Sequence, residues 1–244
     1  GLSCSPATAT ARPTRSPALE PDTNPYLFYS IGATSTALSE HGAQGYADAA
    51  AAVVDAIAID ETLLGCAPQS PGDDCVMRFL GRIGRRLFRR PLAEEELARW
   101  TAVARDTGDQ GALQGVRYAL YGMLQSPLFL YRLEEGEVDP KNTTRRRFTS
   151  YEMAERLSFL FWDSPPDDEL LDAAARNELV ADAGLRRQAI RLISAPRARE
   201  PVQDFFSQYF DLQRLDGVER DVERYPLYSE ALITSMRHEV RLLV

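Results

Sequence analysis

Five carboxylates crowd into one short stretch of the chain, Glu152, Glu155, Asp163, Asp167 and Asp168. Paired acids of unequal pKa are what general acid/base chemistry needs. Their density alone is weak support for it, because helix starts also gather acids, which complement the positive end of the helix dipole. Arg156 stands one turn after Glu152 in an otherwise apolar segment. The spacing predicts an ion pair from Arg156 to Asp163 or Asp167 that fixes the turn after Trp162, so Glu152, Arg156, Asp163 and Asp167 are read as a structural polar network.

Other chemistries find less. His41 and His238 are the only histidines and lack cysteine or acidic neighbours at ligand spacing beyond Glu239, so no metal ligand is assigned. There is no Gly-x-Ser-x-Gly elbow, no Walker loop and no Gly-x-Gly-x-x-Gly after a strand. No catalytic residue and no cofactor is assigned. Asn142-Thr143-Thr144 fits a glycosylation sequon, to which no role is assigned.

Arginine is the abundant cation: of 28 basic residues only Lys141 is lysine, leaving 27 arginines. A GC-rich genome accounts for this more readily than selection for planar bidentate pairing. Arg78, Arg82, Arg85 and Arg89 recur at helical spacing and form a candidate face for an anion or a partner. The more conservative reading pairs them with the protein's own acids, including Asp73, Asp74 and Glu94 to Glu96. Arg86 and Arg90, at the margin of that face, are expected to satisfy helix-end carbonyls or buried carboxylates.

Cys66 and Cys75 bracket a turn-rich octapeptide, Ala67 to Asp74. Such a loop can bring its ends to disulfide distance, and a bridge is favoured over two buried thiols, with an oxidising compartment as its consequence. Cys4 lies in a Thr/Pro/Ser/Ala-rich opening and is expected to be a lone thiol or a processing remnant.

The elements that must position these groups are helices. Residues 1–25 hold five prolines and no aromatic, which predicts an extended arm. Apolar residues then recur with helical period over about 44–59, 74–89, from Pro91 to near Gly108, and 111–125, the last loosened by Gly115 and Gly122. A polar stretch, 134–147, reads as an exposed connection. Thr149 and Glu152 form a capping box for a helix to Trp162. Further helices restart at Pro165-Pro166, at Asp182, at Pro196 with a bend near Pro201, and from about Leu227 onward. Phe205, Phe206, Tyr209 and Phe210 fall at helical spacings and are taken as core. The fold expected is all-α, an irregular bundle of about eight to ten helices, divided as arm 1–25, a first domain 26–138, a connection 139–148 and a second domain 149–244. The final apolar stripe shows no stop signal at Val244, so more protein is expected beyond it.

A net charge of −8 argues against phosphate-driven nucleic-acid binding, and no apolar stretch is long enough for a membrane span. Phe79-Leu80-Gly81-Arg82-Ile83-Gly84-Arg85-Arg86-Leu87-Phe88-Arg89-Arg90-Pro91-Leu92, with Glu94 to Leu97, resembles the signature of a bacterial domain of unknown function, number fifteen-ninety-five. Gln125-Ser126-Pro127-Leu128-Phe129-Leu130-Tyr131-Arg132 resembles its closing element. The run from Tyr151 to Trp162, with Ser164 to Leu170, resembles the start of a companion domain, fifteen-ninety-two. The resemblance implies an exported planctomycete- or myxobacterium-like protein, periplasmic or in the cell envelope, associated with c-type cytochrome domains and without an assigned activity. No Cys-x-x-Cys-His sequence is present, so covalent haem is not expected in this chain.

These readings combine into an exported helical scaffold or interaction module of a redox-associated envelope protein. Its expected partners are the missing C-terminal part of the same protein and a c-type cytochrome. The alternatives are a fragment of an enzyme whose carboxylate site is completed downstream, and an anion-binding module built on the arginine face.

Overall fold

The computed structural model describes residues 39–217, 221 and 223–243, so the expected arm lies outside the described residues. These residues divide into two compact units between Tyr131 and Arg132.

In the first unit, α1 (Glu40–Ala56) starts at Ser39, whose hydroxyl accepts the Gly42 N–H at 3.0 Å. That start lies one turn before the apolar stripe begins, and it places His41 in the first turn of α1. A short α2 (Glu61–Leu64) is capped by Asp60 and ended by Gly65, which takes a left-handed φ of 75°. In α3 (Asp74–Leu87), Val76, Phe79 and Leu80 follow the i, i+3, i+4 rule and are buried. The helix stops at Leu87, two residues before its predicted end. α4 (Glu94–Asp106), α5 (Ala112–Leu124) and α6 (Pro127–Leu130) complete the unit. Its core gathers Val54, Leu64, Val76, Phe79, Leu80, Phe88, Ala104, Val116, Leu120 and Met123.

Gly115 and Gly122 do not loosen α5; they let it press against α4. A Cβ at Gly115 would overlap the Ala104 carbonyl oxygen, and one at Gly122 would lie 2.8 Å from the Trp100 ring. Absence of a side chain there sets how closely the two helices approach.

The second unit opens with a hairpin. β1 (Glu137–Asp139) pairs antiparallel with β2 (Asn142–Arg147), in register Glu137 with Arg147 and Val138 with Arg146. The stretch expected to be a connection therefore contains strands. Its strands are polar apart from the exposed Val138, so no apolar alternation announces them. α7 (Ser150–Trp162), α8 (Asp168–Ala175), α9 (Asp182–Ile193), α10 (Arg199–Tyr209) and α11 (Glu230–Leu243) follow. A 3-10 turn at Pro196–Ala198 precedes α10. Pro201 consequently falls in the first turn of α10, where its missing N–H is not needed. The core contains Ala154, Leu157, Trp162, Leu170, Ala173, Leu179, Leu192 and Ala198. The Trp162 indole N–H donates to the Leu192 carbonyl at 2.9 Å, fixing α7 to α9.

Replacing Gly115 with alanine drives a methyl into the Ala104 carbonyl. Overpacking of this kind costs about 1–3 kcal/mol, so urea unfolding should lower the midpoint for Gly115→Ala while Gly81→Ala, whose Cβ would meet Leu97 only at ordinary contact distance, loses less.

Candidate functional site

The two cysteines are bonded, with Cα atoms 5.9 Å apart. Their loop is tied by side chains as well. Asp73 accepts the backbone N–H groups of Gln69 at 2.6 Å and Ser70 at 3.2 Å through one carboxylate oxygen and that of Val76 at 3.0 Å through the other. Burial pushes the Asp73 carboxyl up, but these donors outweigh it and hold it below the usual range.

The arginines predicted to share one face of α3 take separate positions. Arg78 is exposed and Arg85 half-buried on the helix, and Arg86 is exposed. Arg82 donates to the carbonyls of Leu63 and Leu64, both at 2.9 Å, covering the C-terminal end of α2. Arg89 does not belong to the outward face at all. The helix has ended, its backbone adopts φ 58°, and it is 5% exposed. Its guanidinium donates to the carbonyls of Leu87 and Phe129, both at 3.1 Å, Leu128 at 2.9 Å and Tyr131 at 2.8 Å. The four-residue α6 leaves its final carbonyls without intrahelical partners, and one planar fork supplies the donors. Arg90 forms a bidentate pair with Glu96 at 2.7 and 2.8 Å, and Glu96 also accepts the Ala93 N–H at the start of α4. The Arg90 bond first, and the Ala93 N–H with it, lowers the Glu96 carboxyl against its burial.

In the second unit the capping box at Thr149 and Glu152 forms as expected. Glu152 does more: its carboxylate also accepts N–H bonds from Glu135 and Gly136, both at 2.7 Å, anchoring the base of the hairpin to the start of α7. Burial works upward on this carboxyl, yet the Gly136, Thr149 and Glu135 donors bring it below its ordinary value. Arg156 pairs with Glu134 at 2.7 Å and lies 4.4 Å from the centre of the Phe148 ring, not with Asp163 or Asp167. It points from α7 toward the preceding segment, whereas Asp163 and Asp167 lie past the other end of the helix. Asp163 is exposed and holds the left-handed C-cap of α7 at φ 46°.

The true partner of Asp167 is Arg191, bidentate at 2.7 and 2.9 Å, while Asp167 also caps α8 through the Leu170 N–H. Burial raises this carboxyl, and the Arg191 bonds with the Leu170 N–H hold it below the usual aspartate range. Arg197 covers the Trp162 ring with its guanidinium carbon 3.1 Å from the centroid. Neither Arg191 nor Arg197 was singled out from sequence. They lie 24 and 30 residues from Asp167, and no local spacing links them.

The aromatics of α10 and its C-cap are the clearest departure. Phe205, Tyr209 and Phe210 are 44%, 54% and 53% exposed, although read as core from their periodicity. Their rings and that of Phe206 contact one another in series, with centroids 5.2 to 6.3 Å apart. Val202, one turn earlier, is also exposed. A helical period reports that residues share a face; it does not report whether that face is covered.

Among the described residues no three His, Cys, Asp or Glu side chains assemble as a metal site, and no helix is long and apolar enough to cross a membrane. Residues 75–134 match the model of a family described as PSD5, a protein of unknown function (DUF1595), and residues 148–244 match PSD4, a protein of unknown function (DUF1592). No curated protein and no solved structure matches the chain.

Removing the Arg89 fork leaves several part-buried carbonyls without their donor. Arg89→Ala should destabilise the chain by about 3 kcal/mol in chemical unfolding, with Arg89→Lys recovering less than half. Arg89→Gly, which relieves the left-handed backbone, should regain only about 1 kcal/mol over alanine. Glu152 and Asp167 give a second test. Both folded pKa values lie below their unfolded values, so their contribution is complete above roughly pH 5 and disappears as pH falls through the folded values. Stability should therefore decline on acidification, and Glu152→Gln should flatten that decline when unfolding is measured across the acid range.

Proposed function

We propose that this chain, which carries the DUF1595 and DUF1592 family segments in that order, acts outside the cytosol as a helical module that docks a partner protein through the aromatic face of α10. The observation that carries this reading is the series of contacting rings Phe205, Phe206, Tyr209 and Phe210, of which Phe205, Tyr209 and Phe210 are exposed. Aromatic side chains bring large contact area at little entropic cost and are enriched where proteins meet. The Cys66–Cys75 bond favours an oxidising compartment, in agreement with export to the periplasm or envelope.

The enzyme reading draws less support. A carboxyl acting as a general acid near neutral pH has its pKa raised. Glu152 and Asp167 shift the other way, and each spends its oxygens on backbone N–H groups or arginine. An anion-binding face on α3 has lost Arg89 to the interior and has Arg82 tied to α2. The partners suggested by the family resemblance are further sequence of the same protein and a c-type cytochrome domain.

A photoreactive phenylalanine analogue placed at Tyr209 tests the docking face in the native host. The expected result is one discrete adduct, absent when the probe sits at the exposed Asp182 and absent when Phe205→Ser is combined with the probe. An adduct carrying haem absorbance identifies the cytochrome partner. Identical adduct patterns at positions 209 and 182, or none at either, refute the docking face.

A further inference from the structure

The sulfur bridge closes a frame that other bonds already hold. Arg82 grips the Leu63 and Leu64 carbonyls just before Gly65 turns the chain into Cys66. Leu64 is itself buried in the core of its unit. On the other side, Asp73 gathers the N–H groups of Gln69 and Ser70 and, through its second oxygen, caps α3 two residues before Cys75 enters the first turn. Both approaches to the bridge are therefore fixed by polar ties that do not pass through sulfur.

We propose that Cys66 and Cys75 form a reversible redox couple, opened by an external dithiol and closed again by exchange with that reagent's disulfide form, without unfolding of the surrounding unit. Access to the two sulfurs is unequal: Cys66 is half-buried, whereas Cys75 is buried. A thiolate of the dithiol attacks Cys66 Sγ, forming a mixed disulfide as the Cys66–Cys75 bond breaks. Cys75 leaves as a thiolate at the second position of the 14-residue α3, where first-turn N–H groups favour negative charge. The second thiol of the reagent then displaces Cys66. The dithiol is oxidised by two electrons to its disulfide, and the cysteine pair takes up those two electrons and two protons. A bridge serving as an indispensable staple predicts the opposite, since its reduction releases the loop and the end of α2.

The test uses the full chain with Cys4→Ser, equilibrated in glutathione buffers. The expected effective concentration of the pair exceeds the millimolar value of a short flexible loop by at least about tenfold. The reduced protein should retain amide protection at Leu64 and Val76. Asp73→Ser keeps an acceptor for the Val76 N–H but loses the second oxygen, and Arg82→Ala removes the other tie. Each should lower the effective concentration by about tenfold, on the scale of one hydrogen bond to a charged group. Peptide mapping of the glutathione adduct should place it on Cys66. Loss of protection on reduction, an unchanged equilibrium in both variants, or an adduct on Cys75 overturns the proposal.

Discussion

A buried carbonyl must meet a donor, and in the first unit that requirement falls on Arg89. Helix α6 is too short to satisfy its own C-terminal oxygens, so three of them, with Leu87, converge on one guanidinium. Only arginine offers several N–H groups in a planar fork, and the backbone accepts a left-handed residue to deliver it. The two sequence elements that resemble one family, the arginine-rich run ending in Arg90-Pro91 and the Ser126-Pro127 segment, are the donor and acceptor sides of this contact. Arg82 on the end of α2, Arg117 on the Val54 carbonyl and Arg146 on the carbonyls of Glu135 and Gly136 repeat the same solution. End-of-helix oxygens explain where several of the arginines are used.

Carboxylates perform the complementary task for N–H groups. Asp60, Asp73, Thr149 with Glu152, and Asp167 each stand at a helix start. Glu152 joins two elements by accepting N–H bonds from the hairpin base as well as from its own cap. The depressed pKa values of Glu152 and Asp167 follow from this use of their oxygens, and they bear on function because these two carboxyls are held toward the ionised form instead of being tuned to donate protons.

Phe205, Tyr209 and Phe210 of α10 and its C-cap expose apolar rings, and Leu160 of α7 is 68% exposed. A surface of this kind, together with a disulfide, fits a module that meets another protein in an oxidising environment.

Much was legible in local pattern. The helical periodicity, the Thr149–Glu152 box and the Cys66–Cys75 loop are encoded within a few residues, because capping, periodicity and short-loop closure are short-range constraints, whereas α4 and α8 begin two to three residues after the prolines expected to open them. The polar hairpin was not, since its strands bury no apolar face, and neither were the glycine contacts between α4 and α5. Partner choice was misread where it spans distance: Arg156 meets Glu134 instead of Asp163 or Asp167, and Asp167 finds Arg191. The sequence by itself determined helical class, the capping box at Thr149 and the disulfide pairing. Tertiary structure decided which arginine turned inward, which acid met which base and which aromatic face stayed in water, because those outcomes depend on elements far apart in the chain competing for the same buried space.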